Sequence, residues 1–146
     1  MYETVLAPTD GSDGSDTALA HAIDLADKYD ATLHTQYVVE SSPAFGDTLD
    51  DDAEEDIYGS LFDAGERAVA DVTERGEEAG LEVESSVVRG VPHEEILDCI
   101  DENDVDIVVM ATSGRTGTSR ELIGSVAERV VRSSPVPVVT VNVGDE

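Results

Sequence analysis

Lysine is nearly absent from this chain of 146 residues: it occurs once, at Lys28, and the other seven basic residues are arginines. Against these eight stand 34 acidic residues, for a net charge of −26. Proteins that grip nucleic acid do so with clustered Lys and Arg on phosphates, and no such cluster is present. A P-loop needs Gly-Lys-Ser/Thr, and Lys28 lies inside a stretch that reads as helix, so that site is excluded too. Cysteine also occurs once, at Cys99, which excludes an internal disulfide and a cysteine-based metal site. No apolar run is long enough to span a bilayer, so no membrane partner is expected. The first residues, Met1-Tyr2-Glu3-Thr4, put no basic region before an apolar run, and no secretory signal is expected. There is no Gly-x-Ser-x-Gly elbow. Together these absences predict a cytoplasmic protein.

What is present reads as a folded domain. Apolar residues make up 40% of the chain, and its length suits one domain spanning residues 1–146. A surface this acidic repels itself in dilute buffer. In molar salt the Debye length shrinks to about 3 Å and the repulsion is screened. The acid excess therefore reads as adaptation to a salt-rich cytoplasm, as in extreme halophiles. A disordered acidic chain would lack the regular apolar runs seen here.

Those runs alternate in type. Residues 4–7 are a short apolar strand ended by the turn Pro8-Thr9-Asp10-Gly11-Ser12. Ser15-Asp16 suit a helix N-terminus, and Ala18, Ala22, Leu25, Ala26 and Tyr29 follow at helical spacing. Residues 32–39 form a second strand. Residues 41–56 are an acidic loop whose end enters a second helix, marked by Ile57, Leu61, Ala64, Ala68 and Val72 and stopped by Gly80. Residues 85–88 are a third strand. Pro92 opens a third helix with Ile96, Cys99 and Ile100 on one face. Residues 106–110 are a fourth strand, residues 125–133 a helix, and residues 136–143 a fifth strand. Strands alternating with helices mean right-handed βαβ units and a mainly parallel sheet. Ligands of such sheets bind at the carboxyl ends of the strands, where the strand order switches.

The richest stretch is 111–129. It follows a buried strand and holds Gly114, Gly117 and Gly124 among Ser113, Thr116, Thr118, Ser119 and Ser125. Glycine lets backbone approach a ligand closely, and free amides at a helix start attract anions. This predicts a phosphate cradle at the end of the fourth strand. Ser125-Val126-Ala127-Glu128 also has the form of a capping box, so the Ser125 hydroxyl has two competing uses.

The strand followed by Ala7-Pro8-Thr9-Asp10-Gly11-Ser12, the alternating second strand and the loop-plus-helix at 111–129 resemble the universal stress protein family across essentially the whole chain. The family's ATP-binding pattern is Gly, two residues, Gly, nine residues, Gly-Ser/Thr. Gly114 matches the second glycine, residues 115–123 the spacer, and Gly124-Ser125 the end, while Ala111 replaces the first glycine. If that position needs φ > 0, a Cβ costs roughly 1–2 kcal/mol; if it needs only a small residue, alanine is nearly free. The resemblance implies an α/β fold: a single doubly wound sheet of five parallel strands in order 3-2-1-4-5, with helices on both faces, of the adenine-nucleotide alpha-hydrolase-like, Rossmann-like type. It implies an ATP ligand, with Mg²⁺ carried by the nucleotide, and a homodimer formed through strand 136–143. Pro8, Thr9 and Asp10 match the turn at the adenosine end, and Val38 the apolar wall against adenine. Met110 and Ala111 match positions beside the nucleoside. Ser113, Gly114, Gly124, Ser125 and Val126 match the cradle for ribose and phosphates.

Other features read as structure. His21, His34 and His93 have no ligand spacing and are expected to be surface or partly buried residues. Asp10, Asp13 and Asp16 read as a turn and a helix cap rather than a metal cluster. Cys99 reads as core. Arg115 and Arg120, inside the glycine loop, suit either a polyanion or a neighbouring carboxylate such as Glu121. The acidic 41–56 loop reads as solvated surface, with a lid as the other use. Three function classes follow: an ATP-binding regulator of stress response, a nucleotide-free dimeric interaction module of the same fold, and a slow ATPase or phosphotransferase. The last lacks an evident general base or catalytic lysine, and no catalytic residue is assigned.

Overall fold

The structure is a computed structural model that describes residues 2–40, 51–112 and 125–142; at Asp13 and residues 51–57 only the backbone is described. The elements are β1 (Thr4–Pro8), α1 (Asp13–Tyr29), β2 (Thr32–Glu40), α2 (Asp51–Glu78), β3 (Val83–Gly90), α3 (Pro92–Glu102), β4 (Ile107–Ala111), α4 (Ser125–Ser133) and β5 (Val138–Val141). The strands form one sheet in order β3-β2-β1-β4-β5, and every pairing is parallel. This is the expected order. It places the chain reversal between β1 and β4, which sequence spacing alone left unproven.

Alternation along the strands splits the core in two. Val5, Ala7, Leu33, Ile107 and Val109 face α1, whose Ala18, Leu19, Ala22 and Ala26 pack onto them. Tyr37 and Val39 continue this face under α2, against Tyr58 and Val69. Leu6, Val108 and Met110 point the other way, onto Ile96, Cys99 and Ile100 of α3 and Ala127 and Val130 of α4. Side chains such as Leu6, Leu33, Val5 and Val108 are fully buried, each worth about 1.5–3 kcal/mol relative to exposure. Cys99 belongs to this core, and burial pushes its thiol up to about 11.

Several boundaries differ from the sequence reading. The first helix starts at Asp13 rather than at Ser15-Asp16, because Ser12 is the cap: its Oγ accepts the Ser15 amide at 3.3 Å. The described part of the second helix spans Asp51–Glu78 and takes in residues 51–56, the end of the expected 41–56 loop; residues 41–50 lie outside the described residues. β3 runs from Val83 to Gly90, longer than expected at both ends, because all eight residues pair with β2. β5 is limited to Val138–Val141 within the expected 136–143; of these, residue 143 lies outside the described residues.

The long α2 sits very close to the sheet, and two glycines set that distance. A Cβ at Gly76 would meet Val83 Cγ2 at 2.6 Å and Leu33 Cδ2 at 3.2 Å. One at Gly65 would meet Tyr37 Cδ1 at 2.7 Å. Gly59, on the same helix, has nothing within 4 Å of that position.

Gly76→Ala is expected to destabilise by about 1–2 kcal/mol, overpacking outweighing the helical gain of about 1 kcal/mol from alanine. Gly59→Ala, which has only the gain, is expected to stabilise by about 0.5–1 kcal/mol. Chemical denaturation of both variants at fixed molar salt checks the pair; equal shifts would mean that α2 does not lie this close to β2 and β3.

Candidate functional site

β1 is the central strand, and its two ladders differ in length. Five of its residues pair with β2, from Thr4↔Thr32 to Pro8↔Gln36. Only Val5↔Ile107 and Leu6↔Val108 pair with β4. The reason is chemical. The Thr4 carbonyl accepts from Asp106 N at 3.0 Å and Thr9 N donates to the Gln36 carbonyl at 2.9 Å. Backbone groups of β1 therefore alternate, with even-numbered residues facing β4 and odd-numbered ones facing β2. β4 turns Val108 and Thr112 N–H groups toward β5, which leaves its odd-numbered residues facing β1. The next rung thus calls for an N–H from residue 8 to the Val109 carbonyl, and proline has none to give. The β1–β4 ladder stops there, although β1 runs on to Pro8 and β4 to Ala111.

Beyond that break, residues 8–12 are tightly held. Asp10 Oδ1 accepts from Ser12 N at 2.9 Å, the local turn that aspartate favours. Gly11 takes φ +79°, where a side chain would be strained, and its N–H donates to Thr9 Oγ1 at 3.1 Å. Ser15 is buried; its Oγ donates to the Ser12 carbonyl at 2.9 Å and lies 3.1 Å from Thr9 Oγ1. These bonds fix Thr9 and Asp10 over the break and aim the N-terminus of a 17-residue helix at the same end of the sheet. Of the three aspartates, Asp10 makes the turn and Asp16 pairs with Arg75 at 3.1 Å. Among the described residues, no group of three or more His, Cys, Asp or Glu could hold a metal ion.

On the far side, Met110 is buried in the α3–α4 cluster, and Val126, from the first turn of α4, packs against that same cluster. The structure thus brings these two sequence-assigned residues together. Ala111 is the last residue of β4, in register with Val141, and is not among the residues with positive φ. Its side chain packs against the α1-side cluster. The position therefore does not need glycine for its backbone. Val38 lies on β2, half-buried and in register with Val88, two residues beyond the partner of Pro8. Ser125 is exposed and helical, the first described residue of α4, and the residues before it lie outside the described residues. Glu128 pairs with Arg132 at 3.3 Å. Ser113, Gly114, Gly124, Arg115 and Arg120 lie outside the described residues.

The histidines depart from expectation at one place. His21 is exposed and His93 half-buried, but His34 is 6% exposed, with no hydrogen-bond partner for either ring nitrogen. Burial holds it below its ordinary pKa, opposed by the Glu84 carboxylate 3.8 Å from Nδ1. Gln36, on the same face of β2, was not singled out from the sequence. It too is buried, and its Oε1 has no partner. Both residues sit in a strand covered on both faces, and a polar side chain in such a strand is the signal that could have found them. A separate surface groove of about 440 Å³ lies on α2 and β3, lined in part by Glu66, Glu74 and Glu77. Its acidic wall is no place for a phosphate.

The pattern that defines the universal stress protein family matches residues 1–142. Universal stress protein MJ0531 of Methanocaldococcus jannaschii is 37% identical over 142 residues, covering 97% of this chain and 82% of that protein. The solved structure of MJ0577, from the same organism, superposes with a TM-score of 0.88 at 27% identity, covering 100% of this chain and 99% of that one. A universal stress protein solved in complex with cAMP superposes with a TM-score of 0.72 at 27% identity, covering 96% of this chain and 97% of that one.

Pro8→Ala restores the missing donor. Its new amide is expected to bond the Val109 carbonyl and exchange with solvent slowly, at a rate close to that of the Leu6 amide. Hydrogen exchange followed by NMR reads this directly. A rapidly exchanging residue 8 amide in the folded variant would show that something other than the proline holds β1 and β4 apart.

Proposed function

The chain belongs to the universal stress protein family, and from that premise we propose that it is a dimeric regulator of stress response that binds ATP at the carboxyl ends of β1 and β4. The observation that carries the reading is the broken ladder at Pro8. It leaves two adjacent parallel strands unpaired at the switch in strand order, where open α/β sheets take their ligands. A held turn lies on one side, and on the other a strand end followed by the glycine-spaced segment and the start of α4.

In this reading Pro8, Thr9 and Asp10 meet the adenosine end, Val38 is the apolar wall for the base, and Met110 and Ala111 lie beside the nucleoside. Ser113, Gly114, Gly124, Ser125 and Val126 hold ribose and phosphates. Two observations favour the fit. Ala111 is an extended strand residue whose methyl packs toward α1, so replacing glycine there strains nothing. Val126, near the amino end of the described part of α4, packs against the same cluster as Met110, so two of these residues come to one place. Bound ATP would supply a polyanionic chain together with its own Mg²⁺. A related protein that was solved with cAMP supports an adenine nucleotide as the ligand class. The glycine spacing favours a ligand with a longer phosphate chain.

The same reading makes β5 the dimer contact. It is an edge strand, and Val139 on it and Val131 on α4 are exposed at 40% and 45%. An apolar, unpaired edge of this kind suits a second copy of the chain. No helix among the described residues is long and apolar enough to cross a membrane. The acid excess fits work in a salt-rich cytoplasm.

Isothermal titration of ATP in molar KCl is expected to show one saturable site per chain, and Gly124→Val to weaken it roughly tenfold or more by placing a branched side chain at the start of α4. No heat at millimolar ATP, with the protein shown to be folded, would leave the nucleotide-free interaction module as the better reading. Sedimentation is expected to give a dimer that Val139→Asp converts to monomer while the fold is retained. A Val139→Asp protein that still sediments as a dimer would place the interface elsewhere.

A further inference from the structure

Beside this crevice stands a buried group with nothing to bind. Gln36 is 4% exposed, and its Oε1 has no hydrogen-bond partner. Among the described residues, only the two ring nitrogens of His34 share that condition, and they lie one step further from the strand end on the same face. The other end of the Gln36 amide is committed: Nε2 donates to the Glu95 carbonyl in the first turn of α3, at 3.4 Å. That contact decides which way round the amide sits. Turned over, it would set Oε1 against the Glu95 carbonyl oxygen, acceptor against acceptor. The free end of Gln36 is therefore an acceptor only, and it calls for a donor.

Its position ties it to the proposed nucleotide site. Gln36 is in register with Pro8, and its backbone carbonyl receives the Thr9 N–H at 2.9 Å. Val38, the apolar wall proposed for the base, is the next residue toward the strand end on the same face. The cover over Gln36 is weakly fastened. α3 begins at Val91, an N-cap with no side-chain hydrogen bond, and Val91 is 39% exposed. Val38 and Gln36 thus follow one another on one face of β2, Val38 nearer the strand end and Gln36 held under the first turn of α3.

We infer that Gln36 reads the base, its Oε1 accepting a hydrogen bond from the 6-amino group of adenine. This makes Gln36 a specificity-determining residue, and it rests on the nucleotide site proposed above. Adenine presents an N–H₂ donor at the 6 position; hypoxanthine and guanine present a carbonyl oxygen there. A 6-oxo purine would bring a second acceptor to Oε1 and leave both unpaired in a site closed to water. The apolar wall at Val38 accepts any purine ring, so discrimination falls to the amide.

The test compares ATP with inosine triphosphate, which differs at the 6 position and in the N1 proton that accompanies it. Titration of both into the wild-type chain in molar KCl is expected to favour ATP by roughly 5- to 150-fold, the range for one buried acceptor left unpaired. Gln36→Met keeps the length of the side chain and removes the amide. It is expected to bring the ATP-to-ITP ratio to within about twofold of unity, chiefly by weakening ATP, and to unfold at no lower temperature than the wild type because no unmatched oxygen remains. A wild-type ratio near unity, or a ratio unchanged in folded Gln36→Met, overturns the inference while the nucleotide site stands. A variant that loses stability and weakens both nucleotides equally assigns Gln36 a structural role and also overturns it. Failure of the wild type to bind either nucleotide overturns the site, and the inference with it.

Discussion

One hydrogen bond that cannot form shapes the functional end of this molecule. β1 and β4 meet across the reversal of strand order, and residue 8 is the point where β1 stops pairing with β4. At the amino end the same two strands are locked: Asp106 Oδ2 accepts from Glu3 N at 2.8 Å and Thr4 N at 3.0 Å. At the carboxyl end Pro8 withholds its donor from β4, while Thr9 continues the ladder to β2 by one more bond. The turn at 8–12 is thus fastened to β2 and released from β4. A parallel sheet offers its ligand site where successive connections run to opposite faces. Here a covalent property of one residue ends the β1–β4 ladder early at that end of the sheet, and the hydrogen bonds of Thr9, Asp10, Gly11, Ser12 and Ser15 hold the turn beside it.

Behind that end, stability comes from close approach rather than from charge. The alanines of α1 and the glycines of α2 bring two helices down onto one face, and the aliphatic side chains of the strands fill what remains. The ion pairs among the described residues, Lys28–Asp24, Arg132–Glu128, and Arg75 with Asp16 and Asp71, are mostly solvated and contribute little each. A chain of net charge −26 cannot rely on such pairs. Its surface is a repulsive load that salt relieves, and the core has to carry it.

Much of this was legible in the sequence because period and punctuation agreed. The apolar alternation of residues 32–39 and the spacing of Ala18, Ala22 and Ala26 each admit one element type, and the strand order followed once the family pattern was seen. The errors came where two residues could do one job. Ser12 and Ser15 are both good caps, and the choice fell to Ser12 because Gly11 turns the chain immediately before it. Where the acidic 41–56 loop gives way to the second helix was left open, because charge hid the turns of a helix whose packing residues come later. The full burial of His34 was not expected, and Gln36 was not singled out, for a related reason. Polar residues alternating with apolar ones suggest a strand with one wet face, whereas β2 has α3 over the face that carries them. Pro8, Thr9 and Asp10, which the proposed site uses, were legible as a motif, but the part Pro8 plays in the ladder needed the register of two strands that are remote in sequence.

The substitution of Ala111 for glycine then takes on a definite meaning. Glycine is required where φ is positive or where something must come within the volume of a methyl group. Ala111 is extended, continues the pairing of β4 with β5 and turns its methyl into the α1-side core, so neither requirement applies to the chain itself. The departure from the family pattern therefore concerns how closely a ligand passes the end of β4. It does not concern how β4 itself is folded. In the nucleotide site proposed above, recognition would divide accordingly. The phosphate end would depend on backbone amides and small residues, which accept many anions. The base end would depend on one apolar wall and one oriented amide, where a single wrong acceptor is felt in full. A chain with one lysine and an overwhelming surplus of carboxylates can recognise a polyanion only if the contacts that matter are of this short-range, directional kind.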